Sequence, residues 1–351
     1  MNQMFDILKK MVQTNASDLF ITVGKPPILK MDGIMKALDE YPKFSPTDTE
    51  AAARQLFDRE QTSRSYYEKG EVDFALSISQ IGRFRVNVFR QRGSCALTVR
   101  RIYTELPDPV ALSIPEIVMN LTERQKGLIL VTGPAGCGKT TTLAALIDRI
   151  NHERACHIIT LEDPIEYLHR HDRSIVNQRE IGTDSQSYAH ALRAALRQSP
   201  DVILIGEMRD LETIAIALTA AETGHLIFST LHTVGAAKTI DRIVDVFPPN
   251  QQQQVRVQLS TTLQAVVSQQ LIPGLSGSLV PAFEIMLVNN AIRNMIRDGK
   301  TPQIDGVIQM GVASGMITMD MCLASLLRSG KISRENALLY AVNQEAVLRY
   351  L

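Results

Sequence analysis

The sequence carries no net charge, with 37 lysines and arginines against 37 aspartates and glutamates in 351 residues. That balance argues against a polyelectrolyte partner such as nucleic acid, which calls for a surplus of one sign. Aromatic residues make up only 5%, with no tryptophan, which weighs further against a single-stranded nucleic-acid groove. Cysteine is scarce. Cys95, Cys137, Cys156 and Cys322 show neither CxxC spacing nor a disulfide frame, so they read as reduced, unpaired thiols. No apolar stretch approaches the roughly 18–20 residues of a membrane-spanning helix. The amphipathic segment from Met1 to Met11 has charge spread through it and lacks the apolar centre of a signal peptide. A cytoplasmic protein is expected, with docking on a membrane component left open.

What is present is ordinary globular composition, 45% hydrophobic and 21% charged, in a chain long enough for two domains. Residues 1–102 read as a small α+β domain. Asp18–Val23 is strand-like, Gly24–Pro27 and Asp32–Gly33 are turn signals, and residues 46–69 are rich in helix formers. Val72, Phe74, Leu76 and Ile78 alternate with polar or small residues, Phe84, Val86 and Val88 repeat the pattern, and 96–102 is a third strand-like run. A meandering antiparallel sheet with helices is predicted. Residues 103–116, with Pro107, Pro109 and Pro115, read as a linker. From residue 117 to 351 the texture changes. Apolar strand candidates at 127–132, 157–161, 202–206 and 226–230 alternate with helical segments, which predicts a mainly parallel sheet covered on both sides. From Pro248 the pattern is mainly helical, with one more strand at 281–288 and a helical C-terminal region from about residue 289.

Gly133, Pro134, Ala135, Gly136, Cys137, Gly138, Lys139 and Thr140 match the phosphate-cradling pattern GxxxxGK[ST]. A buried-strand pattern precedes them and a helix-forming stretch from Thr141 follows, the context this loop needs to bind a nucleoside triphosphate. The glycines let the backbone turn tightly so that successive N–H groups form an anion nest, and the next helix adds its positive end. Lys139 places a charge on the β- and γ-phosphates, and the Thr140 hydroxyl is a Mg²⁺ ligand. ATP and Mg²⁺ are the implied ligands.

Hydrolysis also needs a group that orients or activates water. Glu207, directly after the 202–206 strand and followed by Arg209 and Asp210, is the first choice. After the strand at 157–161 come three carboxylates, Glu162, Asp163 and Glu166, one of which supports Mg²⁺ through water or orients the attacking water. Asp163 and Asp210 read equally well as caps of a following helix. His232 ends the strand at 226–230.

These segments resemble the secretion and type IV pilus ATPases. Thr160–Tyr167 is similar to their Asp box, Val202–Thr213 to their Walker B region, and Thr219–Thr233 to their His box. Ala291–Arg297 resembles the C-terminal AIRNLIRE motif of the PilT-type pilus retraction ATPases. With Ser17–Leu19 and Gly82–Gly93, the similarity spans nearly the whole chain. The resemblance implies a PAS-like N-terminal domain joined to a RecA-like P-loop domain. It implies a homo-hexamer that hydrolyses ATP and acts, through an inner-membrane platform protein, on pilin. It makes Glu207 the catalytic carboxylate, Glu162 its companion and His232 a sensor of nucleotide state, places Arg209 with them, and assigns to the γ-phosphate an N-terminal arginine among Arg85, Arg92 and Arg100. Family members that extend pili or serve type II secretion carry an extra N-terminal domain and a four-cysteine zinc insertion. This sequence shows neither, which favours retraction, with an accessory PilU-like role as an alternative. A nucleotide-gated switch and a nucleic-acid translocase are the alternatives of another class. One departure stands out. Cys137 takes a position where serine is common, and a thiol there is expected to make the ATPase sensitive to thiol reagents.

Overall fold

The computed structural model describes residues 3–31, 34–57, 59–102, 106 and 108–350. The chain divides into two compact units, Met1–Glu105 with Glu166–Leu168, and Leu106–Ile165 with His169–Leu351.

The first unit opens with α1 (Gln3–Gln13), β1 (Asp18–Ile21), β2 (Ile28–Met31) and β3 (Ile34–Ala37). Helices α2 (Pro46–Leu56) and α3 (Glu60–Lys69) precede β4 (Glu71–Ile78), β5 (Gly82–Gln91) and β6 (Ser94–Ile102). The six strands form one antiparallel sheet in the order β3-β2-β1-β6-β5-β4. It is not the simple meander predicted, because β1 pairs with β6 and so joins two three-stranded meanders side by side. Val86, Val88, Leu97 and Val99 pack on Ile7, Leu8 and Met11 of α1 and Ala53 of α2 in one apolar cluster. The turn predicted at Asp32–Gly33 lies outside the described residues.

Of the proline-rich stretch, 103–105 and Pro107 lie outside the described residues, and 109–113 form turns before α4 (Glu116–Met119). The second unit then runs β7 (Gly127–Thr132), α5 (Lys139–Glu153), β8 (His157–Glu162), β9 (Ile175–Glu180), α6 (Tyr188–Ala195), β10 (Val202–Ile205), α7 (Leu211–Glu222) and β11 (Leu226–Leu231). After α8 (Ala236–Asp245) and α9 (Pro249–Thr262) come β12 (Leu263–Pro273) and β13 (Leu279–Leu287). Helices α10 (Asn290–Arg297), α11 (Ile304–Met310), α12 (Met319–Arg328), α13 (Arg334–Leu339) and α14 (Gln344–Arg349) end the chain.

The seven strands lie in the order β13-β12-β7-β11-β10-β8-β9, parallel except for the antiparallel β12–β13 pair. Because side chains alternate along a strand, β7 serves two cores. Leu128 and Leu130 face α6–α9, whereas Ile129 and Val131 face Leu143, Leu146 and Ile150 of α5. A strand buried on both faces has no polar side to show, which is why these strands read as continuous apolar runs. The fold is α/β with a smaller α+β unit, as predicted.

Four strands escaped prediction, β2 and β3 in the first unit and β9 and β12 in the second. Strand β12 falls in the segment read as helical. It lies between β7 and β13 with both faces buried, and its glutamines, Gln264, Gln269 and Gln270, break the apolar run. Strand β9 is an edge strand, short and polar on its open side.

Candidate active site

Parallel β7, β8, β10 and β11 bring their carboxyl ends to one edge of the sheet, where nucleotide sites of such sheets lie. The registers align Thr132 with Leu231, and Ile205 with both Leu161 and Ser229. Glu162 is the last residue of β8, and the segments that follow the other three strands carry the phosphate-loop residues, Glu207 and His232.

Within the loop, Gly133, Gly136 and Gly138 have φ of 142°, 75° and 88°, a region other residues rarely enter. At Gly133 space is a second constraint, since a Cβ there would lie 2.2 Å from the Gln269 carbonyl oxygen. Gly138 precedes α5 without a side-chain cap, so the first amides of that helix are left to an anion. Pro134 and Ala135 form the exposed tip, while Thr140 and Thr141 are half-buried in the first turn of α5. The Lys139 ammonium is drawn into the loop, donating to the carbonyls of Gly133 at 2.8 Å and Pro134 at 2.9 Å.

Cys137 is only 2% exposed and packs beneath the loop, its Sγ 4.0 Å from Lys139 Nζ. Burial pushes its thiol above the ordinary value, and the Lys139 charge offsets this in part. The expected sensitivity to thiol reagents at this position is therefore corrected: the sulfur is sheltered and held away from its reactive thiolate form.

The three carboxylates near 162 separate in the fold. Glu162 is buried, and its Oε1 accepts from Thr160 Oγ1 at 2.6 Å and Gln178 Nε2 at 3.2 Å. Asp163 and Glu166 are exposed, and no helix follows Asp163, so its reading as a cap is corrected. Asp210 is a cap: it accepts the Thr213 amide at 2.8 Å at the start of α7.

Glu207 is half-buried. Its Oε1 pairs with Arg209 Nε and lies 3.3 Å from His232 Nε2, which leaves Oε2 without a partner among the described residues. The carboxylate in turn raises the Arg209 pKa. The backbone before Glu207 is pinned on both sides, with the Gly206 amide on the Leu161 carbonyl at 2.7 Å and the Thr230 hydroxyl on the Gly206 carbonyl at 2.5 Å. Glu207, Arg209 and His232 line a cavity of about 390 Å³ with Arg242 of α8. A larger cavity of about 870 Å³ opens beside Gly138 of the loop, between Leu112–Ile114, Thr141 and the β12–β13 hairpin.

Sequence reasoning missed Tyr188, whose hydroxyl comes 2.9 Å from where a Gly206 Cβ would stand. Burial raises the phenol pKa, and Asp163, Glu207 and Glu162 add to it. It also missed Gln269, which no sequence signal marks.

In the first unit, Arg85 is paired with Asp73 at 2.7 Å and Arg100 with the buried Asp18 at 2.9 Å. Arg92 sits at the exposed tip of the β5–β6 hairpin, at φ 49°, with no partner among the described residues.

Known proteins share this architecture. The family described as Type II/IV secretion system protein matches residues 96–302. A Pseudomonas aeruginosa protein named "Type IV pilus retractation ATPase PilT" is 45% identical, with 95% of this chain and 96% of that protein covered. A Neisseria gonorrhoeae "Twitching motility protein" is also 45% identical, covering 96% of this chain and 89% of its own length. The crystal structure of the pilus retraction motor PilT with bound ADP superposes with a TM-score of 0.93 at 48% identity, with 98% of each chain covered. A phosphate loop at the edge of this sheet, the carboxylates beside it and near-full-length likeness agree: the chain belongs to the type II/IV secretion system family of P-loop ATPases.

Proposed function

We propose that the chain is an ATP-hydrolysing motor that powers type IV pilus retraction, working as a homo-hexamer at the inner face of the cell membrane on a platform protein and, through it, on pilin. One observation carries the catalytic part. Glu207, with an uncommitted oxygen, stands at the same sheet edge as the phosphate loop, on the strand two places from β7. The likeness to retraction ATPases over nearly the full chain supports the direction of the work.

The loop amides and the start of α5 hold the phosphates of ATP, and Lys139 supplies the charge that neutralises them. Glu207 Oε2 accepts a proton from the attacking water as its oxygen bonds to the γ-phosphorus and the bond to the ADP oxygen breaks. His232, in contact with Glu207, responds to whether the γ-phosphate is present. The hard oxygen donors Thr140 and Glu162 suit Mg²⁺, which binds few protein ligands and several phosphate or water oxygens. When bound, the metal supplies charge to the phosphate oxygens. Among the three N-terminal arginines, Arg85 and Arg100 are held by carboxylate partners, whereas Arg92 has none among the described residues. The apolar walls of the larger cavity, Leu112, Ile114 and Leu279, suit the nucleobase.

Deleting the gene and counting surface pili tests the direction. Excess pili with lost twitching are expected. Bald cells would indicate extension and overturn the proposal, and unchanged pili would remove the chain from this machine altogether.

A further inference from the structure

Strand β12 continues past the end of β7. Their pairing runs to Ser268 opposite Thr132, so Gln269 comes level with the first residue of the phosphate loop. Consecutive side chains on a strand point to opposite faces. Gln270 accordingly turns toward the C-terminal helices, its Nε2 on the Tyr340 carbonyl at 3.4 Å, and Gln269 turns toward the loop.

Gln269 meets the loop in three ways. Its carbonyl oxygen fills the space a Cβ on Gly133 would take. Its Oε1 accepts from Thr142 Oγ1 at 2.8 Å, and both residues are buried. Its Nε2 lies 2.9 Å from where a Cβ on Gly138 would stand. That nitrogen has no acceptor among the described residues, and the side chain lines the larger cavity together with Gly138, Thr141 and Thr142. A buried amide with its oxygen anchored and its donor end open beside converging backbone amides matches an anionic oxygen, and hydrogen bonds to charged acceptors are the stronger kind.

We propose that Gln269 is a phosphate-binding residue: Nε2 donates to a phosphate oxygen of the bound nucleotide, completing from β12 the cradle that the loop builds from β7. The inference rests on the reading of the chain as an ATPase. It gives β12, the strand that carries the hairpin lining the cavity, a direct hold on the nucleotide.

The test is equilibrium binding of Mg-ADP and Mg-GDP to the purified full chain and its Gln269→Glu, Gln269→Ala and Gln269→Met variants, with ATPase kinetics and thermal midpoints. Glu replaces the donor by a charge that repels phosphate, and affinity should fall about tenfold or more, equally for both nucleotides. Ala and Met should lose several-fold, again equally. KM for ATP should rise more than kcat falls, a split that general distortion of the loop would not produce. Met keeps the bulk, so it decides the matter if the other two fail to fold. Variants with the parent's affinity overturn the inference and leave the ATPase reading standing. Loss for one base alone overturns the phosphate assignment. A parent chain that binds neither nucleotide overturns the ATPase reading and this inference with it.

Discussion

Glu284 accepts the amide of Ala236 at 2.7 Å, tying β13 to the start of α8. The same buried carboxylate accepts the Met319 amide at 3.3 Å at the start of α12, and Ser268 Oγ accepts the Gly235 amide at 3.0 Å. The turn that follows His232 is therefore held by β12 and β13, and the C-terminal helices share its anchor. Glu284→Ala would leave two buried donors unpaired, at a cost of about 1–3 kcal/mol each. A clear drop in the thermal midpoint is expected. Glu284→Gln keeps an acceptor and sheds the charge, and at about pH 4 its midpoint should stay close to the parent's.

The same residue sets a pH dependence. Burial raises the Glu284 pKa above its ordinary 4.5, two backbone amides pull it back, and Asp305 and Asp320 add to the rise. For an acid raised in the folded state, the contribution is fully present below pH 4.5 and is lost as pH climbs through the raised value. Relative to Glu284→Gln, the parent should thus lose stability with rising pH. Midpoints of the two chains measured from about pH 4 to about pH 8 should diverge toward the alkaline end. A constant difference across that range would contradict the assignment.

Binding and chemistry should separate by mutation. Lys139→Ala removes the ammonium drawn into the loop by its own carbonyls, and nucleotide binding should be lost in direct titration. Glu207→Gln keeps a hydrogen-bonding side chain without the base. It should bind ATP normally and hydrolyse it about 10²–10⁴-fold more slowly. Hydrolysis at the parent rate would move the base elsewhere.

Asp210 stands three residues from Glu207, yet its carboxylate is committed to Thr213, accepting both the amide at 2.8 Å and the hydroxyl at 2.7 Å. Asp210→Ala should cost about 1 kcal/mol of stability, the usual price of a lost cap, read as a lower thermal midpoint. Hydrolysis should stay within a few-fold of the parent. A collapse of activity in a chain that still folds would show that Asp210 takes part in the chemistry.

Cys137 offers a check on burial. Brief alkylation of the folded chain, followed by peptide mass spectrometry, should label the half-buried Cys156 before Cys137, and ATPase activity should persist. Unfolding in denaturant should make all four thiols reactive. Rapid labelling of Cys137 in the folded chain, with matching loss of activity, would mean that the loop opens readily.

The sequence made the phosphate loop legible because its requirements are local. Three glycines at fixed spacing, a lysine and a hydroxyl serve a backbone path that depends little on distant residues. The apolar strands β7, β8, β10 and β11 were legible for a related reason, since burial on both faces demands an unbroken apolar run. Strand β12 was hidden because its burial depends on β7, more than a hundred residues earlier, and glutamines tolerated there look helical in isolation.

The sequence by itself determined that a strand, a glycine loop and a helix would present amides to a phosphate, and that carboxylates would follow neighbouring strands. The residue pattern alone left Glu162, Asp163 and Glu166 unranked and only the family resemblance favoured Glu162, the one of the three that the sheet buries and hydrogen-bonds. That pattern put Glu207 first and let Asp210 read as a cap, but it could not show which oxygen of Glu207 stays open, or Gln269 pressed against Gly133 from 136 residues away in the chain. Those distinctions are made by strand order and register, which set what each side chain meets.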